Sequence, residues 1–165
     1  MKKSIFVLFL ILVFSVHFVF SESAIELYQK GKQAYFNEDH ETAIYYLKKA
    51  LDINPNYIEP LIDLSRIYCD LDQNDYSYTY IMKSIKLSPS RNDLILFSAD
   101  IETKLKRYDV AESKYLKIID SDPLNAGAYN GLANLYIVTN RTILAKKNLD
   151  NVLKTDPANF DAINL

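Results

Sequence analysis

The sequence holds one cysteine, three glycines and no tryptophan among its 165 residues. A lone Cys69 excludes an intrachain disulfide and any cysteine-based zinc cluster. So few glycines argue against a glycine-rich cofactor loop. Positive charge is also scarce: the first 21 residues carry two lysines and no acid, so the remainder balances 17 basic against 21 acidic groups. A mildly acidic body gives no basic stripe for nucleic acid. There are only two histidines. His17 sits in an apolar run and reads as a tolerated residue of a targeting segment. His40 falls at an expected hairpin turn, and no Cys, His or paired carboxylate stands near it at metal-ligand spacing. Cys69, beside Tyr68 on a helix, has no positioned base to make it a nucleophile and reads as groove filler. The acids within 37–42 and 70–75 read as turns and helix starts. The sequence therefore predicts no enzyme, no cofactor and no metal.

What is present begins with a targeting signal. Lys2 and Lys3 precede an apolar run from Ile5 to Phe20, interrupted only by Ser15 and His17, and Ser21, Glu22 and Ser23 follow. A basic start, an apolar stretch and small residues at the exit are the parts of a secretory signal. As a helix, the run would reach only about 24 Å, short of a bilayer core of about 30 Å. Cuts after Ser21 or after Ser23 both fit. The exit is not a clean A-x-A, so an uncleaved anchor is the alternative. Residues 1–23 are thus expected to be a signal peptide or an N-terminal membrane anchor. Basic residues before the run and acids after it put the N-terminus in the cytoplasm and the rest outside. No cysteine follows the run, which excludes a lipoprotein anchor.

The body is a repeat. Pro55, Pro89, Pro123 and Pro157 are 34 residues apart, each behind a short polar residue (Asn54, Ser88, Asp122, Asp156). That frame gives units 24–57, 58–91, 92–125 and 126–159, with 160–165 as the start of an incomplete ninth helix. The eighth position is small (Gly31, Ser65, Ala99, Ala133), and so is the twentieth (Ala43, Ser77, Ala111, Ala145). The fourth (Leu27, Leu61, Ile95, Tyr129), twenty-fourth (Leu47, Ile81, Tyr115, Leu149) and twenty-eighth (Leu51, Ile85, Ile119, Leu153) are large and mostly apolar. Small residues let two antiparallel helices meet at a crossing, and bulky ones fill the space beside it. Proline cannot donate an amide and disfavours helix just before it, so it ends each second helix. One hairpin cannot bury its stripe alone, so the units must stack. Helices are predicted near 23–37, 40–53, 57–71, 74–87, 91–105, 108–121, 125–138 and 142–155. Pro60 falls in a first turn, where a missing amide costs little. Tyr76, Tyr78 and Tyr80 alternate as in a strand, but the frame puts them at a helix start.

The pattern resembles the tetratricopeptide repeat family, most closely over the first unit, where Leu27, Gly31, Tyr35, Ala43, Ala50 and Pro55 fall in frame. The resemblance covers 24–159. It implies an all-α fold, a right-handed superhelical solenoid of four helical hairpins behind the signal helix. Two columns depart from the family. The turn glycine at position 15 is Glu38, Asp72, Lys106 and Asn140. The small residue at position 27 is Ala50, then Ser84, Ile118 and Val152, so the last two hairpins are expected to pack with wider spacing or differently. No polar terminal cap is visible at the end of the array.

The resemblance further implies a concave groove lined by the first helix of each hairpin. Its expected lining comprises Tyr28, Lys32 and Tyr35 from the first unit and Ile62, Arg66 and Cys69 from the second. Leu96 and Asp100 come from the third, Asn130 and Asn134 from the fourth. An amphipathic floor of tyrosines and cations suits an extended peptide or a helix; the alternative is ordinary lining without a dedicated ligand. The family's carboxylate clamp needs Lys, Asn and Arg where this chain has Tyr28, Lys32, Asp63, Asp93 and Phe97, so that subfamily is rejected. Asn140-Arg141-Thr142 is a glycosylation sequon, relevant only in a eukaryotic secretory pathway. The expectation is an exported scaffold in the bacterial cell envelope, in the periplasm or on the outer side of the inner membrane. Its partner is a protein or peptide, not nucleic acid, and membrane contact comes only through an uncleaved N-terminal segment. The alternative is a self-associating module, a homo-oligomer formed through the uncapped C-terminal hairpin.

Overall fold

The structure is a computed structural model that describes residues 22–164; the expected signal segment, residues 1–21, lies outside the described residues. Nine helices and no strand are found among the described residues: α1 (Ala24–Phe36), α2 (His40–Ile53), α3 (Ile58–Asp70), α4 (Asn74–Leu87), α5 (Asn92–Lys104), α6 (Tyr108–Ser121), α7 (Ala126–Val138), α8 (Thr142–Thr155) and the short α9 (Phe160–Asn164). Consecutive helices pair as antiparallel hairpins, and each hairpin stacks on the next. No described helix is long and apolar enough to cross a membrane.

Two kinds of turn, each repeated, generate this stack. Within a hairpin, the first helix ends in a residue with left-handed backbone: Glu38, Asp72, Lys106 and Asn140 have φ between 55° and 60°. The amide after each one reaches back five residues, as in Asp39 N–H to Ala34 C=O (2.9 Å) and Arg107 N–H to Glu102 C=O (2.8 Å). This closure satisfies carbonyls that the helix end would orphan, and it normally calls for glycine. Between hairpins, Asn54, Ser88, Asp122 and Asp156 are extended, with ψ of 91°, 73°, 85° and 86°. The proline that follows imposes that conformation. It then occupies the second place of a β-turn closed by the amides of Tyr57, Arg91, Asn125 and Asn159. The last two turns add side-chain locks, since Asp122 Oδ2 accepts from Asn125 Nδ2 at 3.0 Å and Asp156 Oδ2 from Asn159 Nδ2 at 3.1 Å. Ser23 and Glu26 form a capping box on α1, while Asp39 and Asn125 cap α2 and α7.

Within each hairpin the small columns meet. A Cβ built on Gly31 would lie 2.8 Å from Leu47 Cγ. Ser65 and Ser77 exchange hydroxyl-to-carbonyl bonds of 2.8 and 2.7 Å across the crossing of α3 and α4. Ala99, Ala111, Ala133 and Ala145 are buried at the equivalent points. Ile118 and Val152, the large residues at position 27, are also buried. Three apolar clusters follow one another along the array: one on Leu47, Leu64 and Ile67, one on Ile62, Ile81, Leu94 and Ile101, one on Tyr115, Leu132 and Leu135. Pro60 lies in the first turn of α3 and is buried. Tyr76, Tyr78 and Tyr80 are helical, so the repeat frame prevails over their local alternation. At the far end α9 packs against α8 with Ala162 buried, so the fourth hairpin is partly covered by the fifth position of the array.

Candidate functional site

The first helices, α1, α3, α5 and α7, carry the expected groove residues, and the structure sorts them into two clusters with different chemistry. In the N-terminal cluster, Tyr28 and Tyr35 of α1 face acids of α3. The Tyr35 hydroxyl donates to Asp70 Oδ2 at 2.8 Å. Burial, then the Asp63 carboxylate, push the Tyr28 hydroxyl up to about 12; burial and the Asp70 hydrogen bond do the same for Tyr35. Tyr28 also lies against Tyr57, ring centres 5.2 Å apart. Asp63 is buried, and desolvation raises its carboxyl against the opposing pull of Arg66, Tyr28 and Lys32. Arg66 is exposed, with its guanidinium 3.6 Å from Asp63. Lys32 is exposed and lines a cavity of about 300 Å³ with Gln29, Gln33 and Phe36. The tyrosines are therefore committed to intramolecular partners, whereas Lys32 and Arg66 are exposed.

Two expected residues of α3 lie against an apolar cluster. Ile62 is only 6% exposed and belongs to the cluster with Ile81, Leu94 and Ile101. Its side chain has no polar tip to stay in water, so it turns into the seam between the second and third hairpins. Cys69 is half-buried against the same cluster.

The C-terminal cluster surrounds a cavity of about 470 Å³ whose lining comprises Leu96, Asp100, Gly127, Asn130, Gly131, Asn134 and Asn164. All four expected residues of the third and fourth units are in it. Asp100 is held by Tyr115 of α6, whose hydroxyl donates to Oδ1 at 2.7 Å. Desolvation lifts the Asp100 carboxyl to about 6, against the hydrogen bond from Tyr115 and the charge of Lys104. Burial, then Asp100 itself, push the Tyr115 hydroxyl far up. Asn130 is 9% exposed, and its Nδ2 donates to Asn159 Oδ1 at 3.2 Å. Asn134 is exposed at the rim.

Sequence reading missed Gly131, which helps to build this cavity. Gly131 makes room for the Tyr115 ring, since a Cβ there would come within 2.4 Å of it. Gly127 likewise leaves room for Leu96, at 2.8 Å. The signal was present: the one tyrosine in the twenty-fourth column is followed in the next unit by the only glycines after residue 31. The partner acids Asp63 and Asp70 also repeat the seven-residue spacing of Tyr28 and Tyr35.

Stacked helical hairpins closed by 34-residue-spaced turns define an α-solenoid scaffold. Residues 27–57 match the model of the tetratricopeptide repeat family, and the array shares the fold of solved tetratricopeptide repeat proteins. YrrB, described as a TPR protein with an unusual peptide-binding site, superposes with a TM-score of 0.75 at 18% identity, covering 86% of this chain and 73% of that one. MamA gives a TM-score of 0.73 at 19% identity over 84% and 76%. The first TPR of Spaghetti (RPAP3), bound to the HSP90 peptide SRMEEVD, gives 0.64 at 18% identity over 72% and 94%. At these identities the likeness is one of fold. Among curated proteins, the BBSome complex member BBS4 homolog of Drosophila melanogaster is 26% identical over 140 residues, covering 84% of this chain. The chain spans about a quarter of that relative's length (27%).

Proposed function

We propose that this chain is an exported protein-interaction scaffold of the cell envelope that holds an extended segment of a partner protein in the groove formed by α1, α3, α5 and α7. The observation that carries the reading is the C-terminal cavity, where polar groups of α5 and α7 converge over an apolar floor. Such a mixture suits peptide recognition, with polar groups fixing orientation and apolar surface supplying affinity. Proteins of the same fold include one with a peptide-binding site and one solved with a peptide, which supports the class of ligand. The carboxylate-clamp mode is not proposed. Asp63 is buried beneath Arg66, and Asp93 is held by Arg91 at 2.6 Å, so acids stand where a terminal carboxylate would need cations. The test is capture of partners from an envelope extract by wild type, Lys32→Glu and Arg66→Glu. Loss of a specific partner in the variants supports the groove; equal retention by all three removes its N-terminal half from the reading.

Export rests on Lys2, Lys3 and the apolar run. The capping box of α1 favours a cut after Ser21, because a cut after Ser23 would remove the residue whose hydroxyl accepts from Glu26 N–H. An N-terminal cap contributes about 1 kcal/mol. Mass spectrometry of the secreted chain should find Glu22 first; an intact Met1 would refute cleavage. A second reading, self-association through the fourth hairpin, is favoured by the exposure of Ile143 (86%) and Val138 (53%) around the turn between α7 and α8. Light scattering at high protein concentration tests it, and a strict monomer removes it.

A further inference from the structure

We infer that the cavity between α5, α7 and α9 is a cation-binding subsite, which receives the ammonium or guanidinium of a lysine or arginine side chain on Asp100 and the Asn130 carbonyl oxygen. The inference rests on the groove reading above and adds the chemistry of one of its positions.

The argument starts from which atoms are already occupied. Asp156 Oδ2 accepts from Asn159 Nδ2, which fixes the Asn159 amide with its oxygen toward α7 and α9. Asn159 Oδ1 then accepts from Ala162 N–H at 3.1 Å and from Asn130 Nδ2 at 3.2 Å. Asn130 must therefore present its nitrogen to Asn159, and its own oxygen is left over. That oxygen, Oδ1, is buried and has no hydrogen-bond partner among the described residues. The amide cannot be flipped to relieve it, because two amide oxygens would then face each other.

Asp100 shows the same surplus. Its Oδ1 takes the Tyr115 hydroxyl; no described group donates to Oδ2. Lys104, one turn further along α5, acts on the carboxylate only through its field and makes no ion pair with it. Asp100 and Asn130, the residues that carry these two oxygens, both line the cavity, together with Leu96, Gly127 and Gly131. A site left with acceptors to satisfy takes a group made only of donors. Ammonium and guanidinium are multi-donor cationic groups of that kind, and their bonds to carboxylates are the strong charge-assisted ones. Leu96 and the glycines suit the aliphatic stem behind such a head. The carboxyl is also held above its ordinary range when the site is empty, so an arriving cation supplies the charge that burial withholds.

The experiment uses the full chain and fluorescent short peptide pools, randomised except for a fixed central residue: Lys, Arg, Gln or Glu. Wild type should bind the Lys and Arg pools about tenfold more tightly than the Gln pool, with the Glu pool weakest. Asp100→Asn keeps an oxygen for Tyr115 and should reduce the Lys-to-Gln ratio to about one while still binding the Gln pool, which shows that the groove is intact. Asn134→Lys, a change at the exposed rim, should abolish the preference by supplying the cation in cis. A Lys preference that survives in Asp100→Asn, or none in wild type although all pools bind, overturns the subsite and leaves the groove standing. Failure of every pool to bind wild type overturns both readings.

Discussion

Burial lifts the Asp100 carboxyl to about 6 from an ordinary 3.8, and the sign of that shift makes a prediction for stability. A folded-state value above the unfolded one means that folding favours the protonated group. Its contribution is fully present below about 3.8 and is lost as pH rises through about 6. Above that, the charge weakens the fold. Asp100→Asn should therefore be more stable than wild type by about 1–3 kcal/mol at pH 7.5, and the gain should vanish near pH 4. Urea denaturation at the two pH values measures it. The groups that face Asp100 are Lys104 on its own helix, Tyr115 on α6 and the neutral amides of α7. The hairpin-turn residue Lys106 carries a second prediction at this scale. Its φ of 60° costs a side-chain-bearing residue about 1–2 kcal/mol, part of which glycine returns through its freer unfolded chain. Lys106→Gly should stabilise by about 0.5–1 kcal/mol. Asn140→Gly should gain less, because asparagine tolerates this conformation. Thermal melts of the two variants decide the order.

At the scale of the element, the crossing of α3 and α4 differs from its neighbours by two hydroxyls. Ser65 and Ser77 each donate to the other's carbonyl, whereas α5 with α6 and α7 with α8 cross on alanines. Removing one hydroxyl loses a buried bond of about 1 kcal/mol. Removing both recreates the alanine crossing, which already packs elsewhere in the chain. Ser65→Ala with Ser77→Ala should then cost clearly less than the two single changes added together. This crossing also shows why the hairpins were legible in the sequence. Small residues, turn prolines and apolar stripes act within one unit, so the 34-residue columns carry them, and predicted helix ends differ from the observed ones by at most one residue. The two clusters were less legible, because they depend on pairs that the columns do not join. Tyr35 meets Asp70 across 35 residues and Asn130 meets Asn159 across 29. Position within a unit likewise places Ile62 with Tyr28 and Asn130. Only its apolar tip, and the isoleucines it can join, decide that it turns into the seam.

A solenoid has few contacts between distant units, so its stability is close to a sum over hairpins and their interfaces. The four hairpins do not contribute equally. In α3, Leu61, Leu64, Ile67 and Tyr68 are all buried together with Ile62, and α5 to α7 enclose the cluster on Tyr115, Leu132 and Leu135. In α8, by contrast, Ala145 and Val152 are the buried positions among the described residues, and Ile143 and Leu144 lie in solvent. At about 25 cal/mol per Å² of apolar surface, a helix that buries one alanine and one valine holds on by far less than one that buries these five large side chains. Opening should therefore begin at α8 and α9, and the interior should open last. Hydrogen exchange followed by mass spectrometry should give the fastest backbone exchange in α8 and α9 and the slowest in α3. Exchange at one common rate in every helix would mean that the array unfolds as a single cooperative unit, and the nearest-neighbour account would fall. Because α9 supplies Asn164 to the cavity lining and follows directly on Asn159, the same experiment reads the site. A ligand seated on Asp100 and Asn130 binds only the closed arrangement, so it should slow exchange in α9 and α8 and leave α1 and α2 unchanged.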